Sequence, residues 1–513
     1  MIGRARSGGG RLLLPALLAA LASACAPLGP DFQEPEPAWL ANWQPDLYGQ
    51  TEQVAGADLS QWWQRFHDPL LDELVATARR ENPSLRIAGL RILESRATQG
   101  IATGLQYPQL QQVSGSGAFV AQDTDGGLNA GDKDFRTADA AFTLGWELDF
   151  WGRFRRGVES ADAAYFASVA NQRDVQVLLA AQVASLYYGY KTTLQRIEIA
   201  QQNVALQERS LEITQRLFDE GQDSELDVQQ ARAQYLGTRA AIPALRLALT
   251  QQRNALAALL GRAPGDVPEL DAANSALPEL QATSLATVPA QLLLRRPDVR
   301  SAAWQAAAQS AQVGIAQADL YPSISLGGTL SWSGTSLDAV GDVTTLAGGP
   351  GLTWNIFNYG RIENNVRVQD ARLQQALEAF QASVLGAARE IDDAAARIAQ
   401  TSESQTILDA SLAAAERSLS IATRRYAEGY SDFQRVLDAQ AASVTQSDRA
   451  VVNRGDHVAA IIDLYRALGG GWQAASIEEL ISPPLRDTLR ERTDWGDLLD
   501  APLPAPPEQG AAP

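Results

Sequence analysis

Side chains able to carry out chemistry are scarce in this chain. Only His67 and His457 offer an imidazole, and Cys25 supplies the single thiol among 513 residues. Zinc and copper sites draw on histidine and cysteine in groups, so a metal centre of the usual ligand types is not expected. No serine–histidine–acid spacing, phosphate-binding glycine loop or paired-histidine helix motif is present, which leaves no catalytic constellation and no cofactor site. Cys25 follows an export-type leader. Arg4, Arg6 and Arg11 form its basic start, Leu12 to Leu21 an apolar stretch, and Ala22-Ser23-Ala24 a small-residue cleavage zone. The apolar stretch falls well short of the ~20 residues that a helix needs to span a bilayer. In an exported protein a lone cysteine leaves a free or intermolecular thiol. Its position directly after the leader points to a second use, thioether attachment of a diacylglycerol.

The formal charge is −18, or −21 once the three leader arginines are removed. That balance speaks against nucleic acid as a partner, which would want a basic stripe. Residues 1–24 read as a lipoprotein signal peptide, because the segment around Cys25 resembles bacterial lipoprotein signals. Ala26 after the cysteine matches those sorted to the outer membrane. A lipid contributes roughly 0.8 kcal/mol per buried methylene, so several acyl chains hold a protein at a membrane surface.

The elements behind these residues occur twice. Gly152-Arg153 recurs as Gly360-Arg361, Gly221 as Gly429 and Gly261 as Gly469, all 208 positions apart. Pro83 and Pro108 recur as Pro297 and Pro322, 214 apart, so the first strand pair has the longer loop. The expected order is a lipid anchor and extended tether over 25–60, a first repeat over 61–261, a proline-rich linker over 262–290, a second repeat over 291–469, and a C-terminal segment over 470–513 with a disordered proline-rich tail. Each repeat reads as a helix opened by proline, a strand pair, then a long helical hairpin. Gly152 to Gly221 and Gly360 to Gly429 are free of proline, and one unbroken helix of that length runs roughly 100 Å. Ile197, Val204, Leu211 and Phe218 recur every seven residues, as do Leu412, Leu419 and Tyr426, the spacing of coiled-coil packing. Gly189 is a candidate break in the first long helix, and Pro243 predicts a kink in the first return helix only.

Alternation with a period of two marks the strands. Ala138, Ala140, Phe142, Leu144, Trp146, Leu148 and Phe150 alternate with a face that carries Asp139, Glu147 and Asp149. Ile324, Leu326, Leu330 and Trp332 alternate with Ser323, Ser325, Thr329 and Ser331, and Leu352, Trp354 and Ile356 follow a glycine-rich loop containing Gly348, Gly349 and Gly351. Such strands suit either a soluble sheet over a core or tilted membrane strands of about ten residues. Trp146, Phe150, Trp332 and Trp354, near strand ends, fit an interfacial girdle, and the acidic face fits a wet lumen. Four strands cannot close, and open edges are not tolerated in lipid, so membrane strands require several chains to share one barrel.

These residues together resemble the outer-membrane efflux channel family, the TolC-like proteins, and its lipoprotein branch related to NodT and OprM. The resemblance rests on Cys25 with Gly29-Pro30-Asp31-Phe32, on Trp62-Trp63 with Asn82-Pro83, on Arg295-Arg296-Pro297-Asp298 with Tyr321-Pro322, and on Arg425-Tyr426, Gly429 and Val436 to Gln440. It implies an α+β membrane protein in which a duplicated repeat gives four strands to a trimeric 12-stranded barrel. Long coiled-coil helices would form a periplasmic α-barrel below it. It implies a homotrimer joined to a periplasmic adaptor and an inner-membrane transporter, with no enzymatic activity and no cofactor. Asp227 and Asp438 then lie where the family pinches its tube, each repeated as a ring of three carboxylates, and Arg435 is placed to pair with Asp438 along the helix. Gly221 and Gly429 become hairpin tips where an adaptor docks. A type I protein-secretion channel is the neighbouring alternative, and a lipid-anchored coiled-coil scaffold without a pore the more distant one.

Overall fold

A computed structural model describes residues 27–35, 37–40, 59–122, 133–278, 290–334 and 342–504. Cys25, its leader, much of the tether and the last residues of the tail lie outside them. The helices are α1 (Pro69–Glu81), α2 (Pro83–Gly104), α3 (Arg153–Asp219), α4 (Glu225–Leu259), α5 (Ala290–Arg295), α6 (Pro297–Ala318), α7 (Arg361–Ala427), α8 (Phe433–Ala467), α9 (Ile477–Leu480) and α10 (Pro483–Arg492). The strands are β1 (Leu110–Gln122), β2 (Lys133–Leu148), β3 (Ser323–Gly334) and β4 (Val343–Thr353). The duplication is visible in this order. The described residues fall into two compact units, one within 27–35, 92–168 and 301–380, the other within 37–91, 169–300 and 381–504. Each draws on both repeats, so the repeat boundaries are not the boundaries of compactness.

In the first unit the strands form one antiparallel meander in the order β1-β2-β3-β4. Its register places Phe142 between Val113 and Leu330, and Leu330 opposite Leu346. One face is therefore apolar across all four strands, continuing through Trp146–Leu326 and Ile324–Leu352. The other carries Ser116 with Asp139, and Ser331 with Thr345. The apolar face is uncovered in the single chain, with Val113 80% and Leu346 82% exposed. A soluble sheet would bury it, and this contrast separates the two readings that alternation alone allowed.

The glycines expected to form a loop before β4 lie inside the strand instead. Gly348 and Gly349 pair with Gly328 and Gly327, and a Cβ on Gly348 would stand 3.2 Å from the Gly327 carbonyl oxygen. The cluster is a close backbone approach within the sheet rather than a turn. β2 ends at Leu148 and β4 at Thr353, so Phe150 and Trp354 stand just beyond their strands. The Trp146 indole donates to the Gln106 carbonyl (3.2 Å) and the Trp354 indole to the Leu320 carbonyl (3.0 Å), the same bond in both repeats. At the opposite end of β3, Trp332 donates to Asp342 (3.0 Å).

The second unit holds α1, the hairpins' main lengths and the chain's end. α3 is unbroken through Gly189, and α4 continues through Pro243. Gly189 therefore does not divide α3, because packing along a long helix outweighs one poor helix former. The heptad stripe is buried at Ile197, but Phe218 is exposed, and the most buried residues toward the tip are Gln207 and Thr214. Leu211, Leu419 and Tyr426 of the two stripes nevertheless pack against the buried cluster at the tip, so the seven-residue spacing marks the seam even where its members are only partly buried.

Both return helices are capped by the residue preceding a proline. Asn82 donates to the Leu259 carbonyl (2.9 Å) and Arg296 to the Ala467 carbonyl (2.6 Å). Arg296 also bonds Asp298 (2.8 Å) and Glu390 (3.1 Å). The linker is partly packed: Val267 and Leu270 are buried around a short 3-10 turn at Pro268–Ala272. The C-terminal segment departs from expectation as well. From Pro483 it forms α10, whose Pro483 and Pro484 serve as first-turn residues, and Leu489 and Leu499 are buried.

Candidate functional site: the hairpin tips

Both tips are built by one device. At the end of α3, Gly221 (φ 77°) lets the Gln222 amide donate to the Leu217 carbonyl (2.8 Å). At the end of α7, Gly429 (φ 77°) lets Tyr430 donate to Arg425 (2.8 Å). These are left-handed helix stops that glycine accommodates without strain, and a Cβ at either position meets nothing within 4 Å. The return helices are then capped at equivalent positions. Ser224 accepts from the Asp227 amide (3.2 Å), and Asp432 from the Arg435 amide (3.3 Å).

This equivalence reorders the expected acidic pair. Asp227 matches Arg435, while Asp438 matches Gln230, one turn further along. Asp227 accepts a 2.5 Å bond from the Ser224 hydroxyl and so completes its own helix cap. Asp438 accepts from the Gln434 side chain (2.9 Å). Arg435 does not pair with Asp438; it lies 3.9 Å from Asp432, and both side chains are largely exposed. The helix N-terminus favours that choice, because Asp432 is already held there as the cap.

The contact joining the hairpins was not anticipated. Tyr426, near the end of α7, donates its hydroxyl to Asp223 in the turn between α3 and α4. Burial, aided by the Asp223 carboxylate, pushes the Tyr426 hydroxyl well above the ordinary tyrosine range, so it remains a donor. Its ring packs 5.1 Å from Phe433, beside a buried cluster of Ala231, Phe433, Val436 and Leu437. Gln440 adds a bond to Ser210 (2.6 Å). Above this cluster a groove of about 950 Å³ runs between α4 and α8, with Asp438, Asn203, Gln234 and Arg449 in its walls. In sequence the only signal for the contact was a tyrosine one turn before a glycine stop.

Among the described residues no group of three or more His, Cys, Asp or Glu side chains is placed to hold a metal ion, and no helix is long and apolar enough to cross a membrane. An uncovered apolar sheet continuous in sequence with paired helical hairpins defines a membrane channel subunit. The profile of the outer membrane efflux protein family matches residues 74–262 and 288–470, the two repeats, and the chain belongs to that family. It is 32% identical to the toluene efflux pump outer membrane protein TtgC of Pseudomonas putida, over 91% of this chain and 98% of that protein. The cation efflux system protein CusC of Escherichia coli is 30% identical over 90% of this chain and 99% of its own length. The solved outer-membrane channel OprN superimposes with a TM-score of 0.80 at 30% identity, covering 87% of this chain and all of that one. The protein is an outer-membrane channel component of an efflux system.

Proposed function

We propose that three copies close their four-stranded sheets into one 12-stranded barrel and pass small organic molecules, drugs among them, from the periplasm to the exterior. The uncovered apolar face with unpaired edges on β1 and β4 carries this reading, since lipid accepts such a face only when its edges are closed. Trp146, Phe150, Trp332 and Trp354 lie at the two interfaces, and Cys25 carries the lipid that holds the chain to the inner leaflet.

The hairpin tips form the periplasmic gate. The Tyr426–Asp223 bond holds each copy's two hairpins together, while Asp438 contributes a ring of three carboxylates that selects for cations. Asp227 and Arg435 put opposite charges at equivalent levels of the two hairpins. The turns at Gly221 and Gly429 receive a periplasmic adaptor, which links the channel to an inner-membrane transporter. Relatives bear names for toluene, antibiotic and cation efflux. One methionine and two histidines give this chain few ligands for a soft-metal route.

Planar-bilayer recording of the purified protein tests the channel. Small cation-selective currents from a trimeric particle are expected, and a folded monomer without conductance would overturn the reading. Cells lacking the protein should accumulate a hydrophobic dye that complemented cells expel.

A further inference from the structure

The three acidic residues that alternate along β2 and its end do not share one fate. Glu147 lies 3.6 Å from the Arg153 guanidinium. Asp149 accepts from the Phe154 and Arg155 amides (3.1 and 2.9 Å) and lies 3.3 Å from the Arg155 side chain. Both are compensated at the start of α3, Asp149 by the helix N-terminus as well as by a cation. Asp139 has no such neighbour. It stands eight residues before Glu147, roughly 27 Å back along the strand. Among the described residues its carboxylate accepts only a long bond from the Ser116 hydroxyl on β1 (3.3 Å), and the residue is exposed.

The face around it is small and uncharged. Its row continues into Ser333 and Val343, and the next row runs through Ser114, Ala141, Ser331 and Thr345. Over residues 110–118, 137–147, 323–333 and 343–353 the four strands contain no lysine or arginine, and Asp139 and Glu147 are their only charges. Arg136, the nearest cation along β2, pairs with Phe119 on the opposite face. Asp342, at the same end of the sheet, is held by the Trp332 indole (3.0 Å). On the polar face, then, Asp139 is the one charge without a counter-charge.

We propose that Asp139 is a selectivity residue at the exterior mouth, where it draws cationic solutes into the barrel and opposes anionic ones. This rests on the reading of the chain as a subunit of a shared barrel whose polar face lines the lumen. The helices join the sheet at the Glu147 end, so Asp139 lies at the exit. Trp332 pairs with Ala140 one row away on the other face, which sets Asp139 level with the outer aromatics. A carboxylate on the wall of an open mouth acts through its field and does not grip an ion. Its reach is therefore the Debye length, ~10 Å at 0.1 M salt and ~3 Å at 1 M.

A thiol reporter reads the local potential in the full-length protein, in right-side-out outer-membrane vesicles. Ser333→Cys places the thiol directly opposite Asp139, and vesicles with the parent protein give the background. Cationic and anionic methanethiosulfonate reagents of similar size are added outside, and the ratio of their rates is measured. At 0.1 M salt Asp139→Asn should lower the cationic-to-anionic ratio roughly threefold, and 1 M salt should abolish the difference. At Ser325→Cys, opposite Glu147, the ratio should not change, because that site lies more than two Debye lengths away. A ratio at Ser333→Cys that ignores Asp139→Asn, or an equal change at Ser325→Cys, would overturn the proposal and leave the barrel reading intact. Folded protein whose Ser333→Cys resists both reagents would overturn both, because the polar face would then not line water.

Discussion

Tyr426 and Asp223 lie 203 residues apart and share a hydrogen bond that ties the end of α7 to the turn after α3. It is a bond between a donor that burial keeps protonated and a half-buried carboxylate. Tyr426→Phe keeps the ring against Phe433 and removes only the hydroxyl. A hydrogen bond of this kind contributes about 1 kcal/mol net, so each copy's closed-to-open ratio should fall about fivefold. Single-channel recording should show larger and longer openings for Tyr426→Phe and for Asp223→Asn. The double variant should add little to either single one.

Asp227 and Asp438 should separate by phenotype. Asp438→Asn removes charge from the groove wall and should lower cation preference in reversal-potential measurements, with stability nearly unchanged. Asp227→Ala removes the carboxylate that holds the Ser224 hydroxyl but leaves the backbone cap bond, and should cost about 0.5 kcal/mol of stability, with a smaller change in selectivity. Equal selectivity loss in both variants would contradict the inequivalence of the two positions.

Arg296 holds a backbone carbonyl and two carboxylates with one guanidinium that is only 8% exposed. A lysine lacks the fork and cannot serve all three, so Arg296→Lys should lower stability by about 2–4 kcal/mol. Asn82→Ala, which removes the equivalent cap in the first repeat, should cost about 1 kcal/mol, because no buried charge is stranded. Thermal unfolding of the purified variants orders them.

Asp174 supplies a pH dependence. Burial, with the neighbouring carboxylates Asp298 and Glu390, raises it to about 6, while Arg296 and Arg466 oppose the rise. The folded state thus binds this proton more tightly than the unfolded chain. The resulting stability is complete below the unfolded value of 3.8 and is lost as pH rises through about 6. Asp174→Asn should remove that slope, on the order of 2–3 kcal/mol between pH 4 and 7. Wild type and variant compared by denaturant melts should diverge as pH rises from about 4 to 6 and keep a constant difference above it; curves parallel between pH 4 and 6 would refute the assignment.

The sequence by itself determined the elements and their duplication. A period of two is not a helix, a proline-free run with a seven-residue apolar repeat reads as helix throughout, and fixed offsets between glycines specify two copies of one unit. It also determined which face of each strand is apolar, because register and alternation are local. Tertiary structure decided what those patterns meet. Gly348 reads as loop until Gly328 stands opposite it, and Pro483 reads as a tail until α10 packs. Arg435 looks free to pair with Asp438 until Asp432 claims the helix start. The Tyr426–Asp223 bond joins residues far apart in sequence whose types are ordinary, so no local pattern encodes it. Packing brings together what propensity and periodicity, acting over a few residues, cannot see.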